Sequence, residues 1–305
     1  GVLPPENYTV GRKYGLVMSL HGAGVDAAGQ VTSYSPKEWA WVIAPTNRRK
    51  FGFNWEEWGR FNGLKALEDA KQTWAIDNSR VHITGHSMGG HGTWHLGVHD
   101  AGQFATIVPS AGWESIYSYP PGGSSDRPPG TRGRARAHSD TKEYLSNIAD
   151  RSVYLIHGTA DNNVPTDEGR KMCKKAKNQI STDANVECHF EEGAEHWWDG
   201  NRAEGTDCVD WPPAWKMMKN RTLDPHALEF SHKTPGPWYG AEHSYVKIDS
   251  SETPMKDVEL TSTKTGESTV KLTTNNARSL EIDGKALKQK GIQTINVDGN
   301  DHSVP

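Results

Sequence analysis

Short apolar runs alternate with helical patterns over the first two-thirds of this 305-residue chain. The runs are rich in β-branched residues and lie at residues 15–20, 41–45, 80–85, 104–110, 152–158 and 186–193. One helical spacing of apolar residues comprises Leu64, Leu67, Ala70 and Trp74. A second helix is predicted over residues 166–180, with Thr166 as its N-cap. This alternation predicts an α/β fold, a doubly wound and mostly parallel sheet covered on both faces.

The pattern changes beyond about residue 223. Segments such as SYVKIDS and LEIDGKAL alternate apolar and polar residues between turn signals, and no strong helix is predicted there. We therefore predict an α/β catalytic domain over residues 1–222 and a small antiparallel β domain over residues 223–305. Inside the first domain, residues 119–140 are rich in Pro, Gly and Arg, which predicts a flexible loop or a lid.

Composition excludes some partners. The net charge of −4 argues against a nucleic-acid partner, and no apolar run approaches the roughly 20 residues that cross a bilayer, so no membrane partner is expected. The three cysteines have no metal-ligand spacing. A disulfide between Cys188 and Cys208 is the preferred pairing, and three unpaired thiols, including Cys173, are the alternative.

The stretch VHITGHSMGGHGTW carries the strongest chemical signal. Ser87 lies between Gly85 and Gly89, after a predicted strand and before a predicted helix. Gly-x-Ser-x-Gly in this position is the pattern of a nucleophile elbow, in which the glycines leave room for a tight turn. An ordinary glycine-rich turn is the alternative. Ser87 is therefore the candidate nucleophile.

A serine needs a base, and the base needs an acid that orients it. Asp161 follows the predicted strand at 152–158, and His196 lies in the loop after the next strand. The order serine, aspartate, histidine is the one expected in this fold, at the edge where parallel strands end. The weaker candidates for the acid are Asp167, Glu192 and Glu195.

The oxyanion hole requires two backbone N–H groups. One is expected from Met88, directly after the nucleophile, and the other from the loop in SLHGAG after the first strand. Ala23 is the expected second donor, and Gly24 is the next choice.

Several segments together resemble the α/β-hydrolase superfamily: LHGAG, GHSMGGHGTWHLG, FATIVPSAGW, HGTADNNVP and GAEHWW, in this order. The likeness covers residues 11–215 and is greatest to the branch of prolyl-oligopeptidase-like, polyhydroxyalkanoate-depolymerase-like and feruloyl-esterase-like serine hydrolases. The resemblance implies that Ser87 is the nucleophile, Asp161 the acid and His196 the base, with no cofactor and no metal. It also favours a secreted or periplasmic location.

Aromatic residues cluster in loops near the predicted site. Core packing is the ordinary role of any one tryptophan, but several on strand-end loops suggest an aromatic-walled cleft. The candidate substrate contacts are Trp55, Trp58, Trp113 and Trp197. Polar neighbours could bind substrate or form surface salt bridges: Glu56, Glu57 and Arg60.

One set of histidines recurs every four residues and could imitate a metal-binding face: His91, His95 and His99. Packed or hydrogen-bonded side chains against the sheet are the preferred interpretation of these three histidines.

The favoured function is a serine esterase that acts on a small-molecule or polymeric ester, of aryl, feruloyl-like or polyester type. A prolyl-oligopeptidase-like serine peptidase is the alternative. A third hypothesis is a non-catalytic protein on a hydrolase scaffold that binds a carbohydrate or a polymer. The complete set of Ser87, Asp161 and His196 argues against this hypothesis.

Overall fold

The computed structural model of the protein describes residues 1–119, 126–180 and 186–305. A seven-stranded sheet forms its centre, in the order β1-β3-β2-β4-β5-β6-β7. All neighbouring strands are parallel except β1 and β3. The strands are β1 (Val2–Leu3), β2 (Tyr14–Leu20), β3 (Ala40–Ile43), β4 (Ile76–His86), β5 (Thr106–Ser110), β6 (Ser152–Gly158) and β7 (Val186–Glu191).

Successive residues of the central strands pack into two different apolar clusters. Leu16 and Met18 of β2 lie in one cluster, whereas Val17 lies in the other. This period of two is what a strand buried on both faces requires. Helices cover both faces: α1 (Ala27–Val31), α2 (Glu57–Thr73), α3 (Met88–His99), α4 (Gly130–Ala135), α5 (Thr166–Gln179), α6 (Asp207–Asp210) and α7 (Pro212–Lys219). The predicted α/β fold is therefore confirmed.

Two local predictions on helices need correction. The helix α5 begins at Thr166, but its N-cap is Pro165, and the Thr166 hydroxyl donates to the Gly158 carbonyl instead. The predicted loop at 119–140 contains α4 and a 3-10 turn at Ala137–Ser139, whereas residues 120–125 lie outside the described chain. Its role as a lid stays a prediction.

The C-terminal region forms two further sheets, in the orders β13-β10-β9 and β15-β14-β12-β11-β8. Their elements are β8 (Phe230–Thr234), β9 (Glu242–His243), β10 (Val246–Ser251), β11 (Val258–Lys264), β12 (Thr269–Asn275), β13 (Ala277–Ile282), α8 (Gly284–Gln289), β14 (Thr294–Val297) and β15 (Asn300–Ser303). The pairing is antiparallel except between β12 and β14, which the intervening β13 and α8 allow to run parallel. A third apolar cluster belongs to this region alone.

The cysteine pairing differs from the preferred prediction. Cys173 on α5 forms the disulfide with Cys188 on β7, with a Cα–Cα distance of 6.3 Å. Cys208 is buried and free. The predicted bridge between Cys188 and Cys208 is wrong because these cysteines pack on opposite faces of the sheet, Cys188 with the cluster of α5 and Cys208 with that of α7.

No helix within the described residues is long and apolar enough to cross a membrane.

Candidate active site

Ser87 occupies the sharp turn between β4 and α3. Its backbone has φ 60° and ψ −119°, and its N–H donates to the Ser110 carbonyl on the neighbouring strand. A residue other than glycine in this conformation costs roughly 1–3 kcal/mol, which the surrounding packing must supply. The turn projects the Ser87 side chain beyond the ends of the parallel strands.

Glycines on both sides allow this turn to pack closely. A Cβ on Gly85 would lie 2.5 Å from the Gly89 carbonyl oxygen and 2.7 Å from that of Leu20. A Cβ on Gly89 would overlap the Leu20 carbonyl oxygen outright. Real Cβ atoms do not approach backbone oxygens so closely, so the elbow requires glycine at both positions.

His196 joins the two other candidate residues. It follows β7, and its Nδ1 donates to the Asp161 carboxylate at 2.7 Å. The Ser87 hydroxyl donates to the Nε2 of the same ring at 2.9 Å. The structure thus brings together three side chains that are 35 and 109 residues apart in sequence.

Asp161 is held in place from several directions. One carboxylate oxygen accepts the N–H groups of Asn163 and Val164, each at 2.9 Å. The other oxygen lies 3.2 Å from the Nε2 of His157, which also donates to the Val164 carbonyl at 3.0 Å. Burial tends to raise the pKa of Asp161, but the hydrogen bonds from His157 and His196 outweigh it, and the pKa is well below its usual range.

The loop after β2 lies directly against the serine. A Cβ on Gly22 would lie 3.3 Å from the Ser87 Cβ and 4.0 Å from its hydroxyl oxygen. The Gly24 N–H donates to the Lys50 carbonyl at 3.0 Å, so the second choice for the oxyanion donor is wrong. Met88 begins α3, where the N–H group has no partner within its own helix. The Ala23 N–H remains the predicted second donor.

Two of the predicted aromatic substrate contacts are wrong. Trp55 is fully buried, and its indole N–H donates to the His21 carbonyl at 3.0 Å, so it supports the loop after β2 from behind. Trp113 is buried as well, stacked between His91 and Tyr119. Side chains this deeply buried present almost no surface to a substrate, with 0% of Trp55 and 4% of Trp113 exposed.

Two other aromatic predictions fit exposed positions. Trp197, next to His196, exposes 48% of its surface, and its ring lies 5.0 Å from that of His86. Trp58 is also exposed, on α2, where Arg48 covers its ring. Both remain candidate substrate contacts.

The polar neighbours on α2 have other partners. Arg60 is buried against Asp100, with Nε donating at 2.8 Å, and Glu56 is buried beside His91. Neither forms the surface salt bridge that the sequence suggested.

Sequence reasoning gave no role to two residues near the site, His157 and Phe51, and expected only a structural role for His86, which precedes the nucleophile. His157 contacts Asp161, and His86 lies behind His196 with its ring centroid 4.7 Å away. Burial, with a smaller contribution from His196, lowers the pKa of His86 to about 3, so that this ring stays neutral. Phe51 is exposed, and its ring edge packs over Gly24. Of the two missed residues, only His157 had a sequence signal, its position next to the strand-end Gly158.

The fold and the site define a protein of the α/β-hydrolase superfamily. Residues 49–210, more than half of the chain, match the sequence profile of the prolyl oligopeptidase family. The chain belongs to the prolyl oligopeptidase family.

One relative matches this chain at low sequence identity. An "Uncharacterized secreted protein" of Arthroderma benhamiae is 26% identical over 312 residues, which cover 96% of this chain and 33% of the relative. The chain therefore spans about a third of that relative's length.

Among solved structures, a Bacteroides ovatus protein described as a dipeptidyl aminopeptidase IV has a TM-score of 0.50 and 14% identity, over 68% of this chain and 31% of its own. A thermostable esterase has a TM-score of 0.49 and 20% identity, over 72% of this chain and 58% of its own. The first of these likenesses supports the fold alone.

Proposed function

We propose that the chain is a serine hydrolase that cleaves carboxylic esters through an acyl-enzyme. Ser87 is the nucleophile, His196 the general base and Asp161 the acid that orients it. The observation that carries the proposal is the position of the His196 ring, which bonds Ser87 through one nitrogen and Asp161 through the other. In this arrangement the imidazole has the tautomer that a general base requires.

The proposed reaction has two halves. His196 Nε2 takes the hydroxyl proton as the Ser87 oxygen attacks the carbonyl carbon, and it then gives the proton to the leaving alcohol. The oxyanion is bound by the N–H groups of Met88 and Ala23, each worth about 3–4 kcal/mol of transition-state stabilisation. A water molecule, deprotonated by the same imidazole, then attacks the acyl carbon, and His196 returns the proton to the Ser87 oxygen as the carboxylic acid leaves. The reaction uses no cofactor.

The exposed aromatic side chains support an ester with a planar or polymeric acyl group. Trp197 lies beside the base, and Phe51 covers the glycine next to the predicted oxyanion donor. Exposed flat rings beside the proposed base and over the loop that carries the predicted oxyanion donor suit aryl, feruloyl-like or polyester substrates.

A serine peptidase is the second candidate. Membership of the prolyl oligopeptidase family favours it, because the same three residues also cleave amides. The fold and the three proposed catalytic residues do not determine the substrate class. Only a comparison of ester and amide substrates therefore distinguishes the esterase from the peptidase.

A paired assay tests the choice. We expect the chain to hydrolyse p-nitrophenyl acetate, p-nitrophenyl butyrate and a feruloyl ester, and to leave aminoacyl p-nitroanilides uncut. Hydrolysis of the anilides alone would establish the peptidase instead. Ser87→Ala serves as the control for background hydrolysis in both arms.

We also propose that the protein works outside the cytoplasm. The Cys173–Cys188 disulfide supports this, because such bonds persist in oxidising compartments. The relative's description as secreted supports it as well. Trapping free thiols with a maleimide before lysis, followed by mass spectrometry, tests the proposal: both cysteines should escape labelling.

A further inference from the structure

A buried cluster of potential metal ligands lies between α2 and α3. It comprises the N-cap of α2, Glu56, and two histidines one turn apart on α3, His91 and His95. One ligand atom from each lies within 4.8 Å of the others, and all three side chains are buried. Carboxylate oxygen and imidazole nitrogen are the ligand types that zinc-like ions take.

The hydrogen bonds of His91 point to a cation in this cluster. Its Nδ1 lies 3.1 Å from the Trp113 carbonyl oxygen, and its Nε2 lies 2.9 Å from Glu56 Oε1. A carbonyl oxygen can only accept, so the Nδ1 carries the proton. In the neutral ring, Nε2 would then face the carboxylate with its lone pair. The lone pair of His91 Nε2 and the oxygen of the Glu56 carboxylate repel each other at 2.9 Å unless a positive charge lies between them. That charge is either a second proton on the ring or a metal ion.

Among the described residues, the ion-pair partners of Glu56 are two histidines, His91 and His138, and not a lysine or an arginine. The fixed positive charge of Arg60 is engaged by Asp100, to which its Nε donates at 2.8 Å. His138 lies 3.8 Å from Glu56 and 3.0 Å from Glu57, so two carboxylates share this one ring. Burying a charged carboxylate such as Glu56 is costly unless a positive charge lies beside it, and a divalent ion would supply that charge.

The outer contacts have the form that metal sites require. Ligating histidines usually donate their second N–H to a carbonyl, as His91 does to Trp113, and ligating carboxylates are themselves hydrogen-bonded. Glu56 Oε2 accepts the Ser139 hydroxyl, and His95 Nε2 bonds the Tyr239 hydroxyl. The Nδ1 of His95 is buried and has no hydrogen-bond partner within the described residues.

We propose that Glu56, His91 and His95 bind one divalent transition-metal ion of the zinc type, in a structural site. Bonds of about 2.0–2.2 Å to nitrogen and oxygen require the 2.9 Å contact between Glu56 and His91 to widen and the ligand atoms that are up to 4.8 Å apart to move closer together. The ion fastens the start of α2 to α3 one turn beyond the nucleophile, since the His91 N–H donates to the Ser87 carbonyl. It takes no part in the proposed ester hydrolysis.

Metal content tests the proposal directly. The 305-residue chain is purified without a polyhistidine tag and without chelators, and its metals are measured by inductively coupled plasma mass spectrometry. We expect about one zinc-type ion per chain. Dialysis against a chelator should lower the melting temperature, and added Zn²⁺ should restore it. If the chain contains no metal and its melting temperature does not respond to Zn²⁺, a proton and not a metal ion lies between His91 and Glu56. That result would overturn the proposal.

Variants assign the ion to these ligands. Glu56→Gln and His95→Gln should weaken metal binding at least tenfold to a hundredfold. His99→Gln is the matched control, because His99 is equally buried on the next turn of α3 and bonds the His138 carbonyl instead. Retention of the ion by both ligand variants, or equal loss from the control, would overturn the assignment. Should a variant fail to fold, Co²⁺ added to the chelated wild-type chain must still give the visible absorption of a tetrahedral ion with nitrogen and oxygen ligands.

Discussion

The Nε2 atom of His196 lies 2.9 Å from the hydroxyl oxygen of Ser87, although 109 residues separate them along the chain. The sheet makes this contact, because both residues follow parallel strands that end at the same edge.

Removal of the orienting carboxylate should impair the reaction without destroying the site. Asp161→Asn places an amide where the Nδ1–H of His196 must donate, which favours the wrong tautomer of the ring. We expect kcat for p-nitrophenyl butyrate to fall by roughly 10⁴-fold with KM little changed. Steady-state kinetics at pH 7 to 9 measures both, and an activity within tenfold of the wild type would exclude Asp161 as the acid.

The elbow should not tolerate a methyl group at Gly89. In Gly89→Ala the new Cβ overlaps the Leu20 carbonyl oxygen, so the turn that carries Ser87 must move. We expect esterase activity to be lost and the melting temperature to fall. Gly102→Ala is the control, since its nearest neighbour would be a backbone nitrogen 3.9 Å away. Equal behaviour of the two variants would contradict the packing argument.

Trp197 should matter for aryl esters and much less for acetyl esters. Trp197→Ala removes the exposed ring beside the base, and we expect kcat/KM for a feruloyl ester to fall roughly tenfold, about 1.4 kcal/mol. The matched control is Trp238→Ala, which removes a ring of nearly equal exposure, 49% against 48%, from the C-terminal region. Identical losses with both acyl groups would argue against a substrate contact.

The Cys173–Cys188 disulfide should stabilise the fold. It closes a loop of 15 residues between α5 and the edge strand β7, and such a bond contributes about 3 kcal/mol by restricting the unfolded chain. We expect the double variant Cys173→Ser, Cys188→Ser to lose about that much free energy of unfolding in urea. A reducing agent should lower the stability of the wild type and leave that of the variant unchanged.

Mild acid should destabilise the protein through its buried histidines. Burial, with a smaller effect from Arg80, lowers the pKa of His82 to about 3 in the folded state, against about 6.5 in the unfolded chain. Below pH 6.5, His82 therefore binds a proton in the unfolded state but not in the folded state. The contribution of His82 to stability is present above pH 6.5 and is lost as the pH falls towards 3.

A single substitution isolates this effect. His82→Phe replaces the ring with one that cannot be protonated, so the loss of unfolding free energy between pH 7 and pH 5 should shrink by up to about 2 kcal/mol. Urea titrations at both pH values measure the difference. An unchanged difference would mean that His82 is protonated equally in both states.

The sequence predicted the parts that follow from periodicity and chain order. Alternating runs gave the parallel sheet, and Ser87, Asp161 and His196 each follow a strand that ends at the same edge. The strand pattern and the order of the three residues depend only on local sequence and on the topology of the sheet, so both can be predicted from the sequence.

The remaining details depend on which face a side chain takes. Trp55 and Trp58 are three residues apart, yet one is buried beneath the loop after β2 and the other is exposed. Cys188 could be assigned to Cys173 only once its face of β7 was known. The partners of His91 come from Glu56 and Trp113, which lie 35 and 22 residues away and carry no spacing signal.

Covalent labelling of Ser87 tests the proposed nucleophile and its base together. The chain is incubated with a fluorophosphonate, digested, and the modified residue is located by tandem mass spectrometry, with His196→Ala as a parallel sample. We expect one modified residue, Ser87, and labelling at least a hundredfold slower in the His196 variant. Modification of another serine, or an unchanged rate without the His196 imidazole, would contradict the proposal.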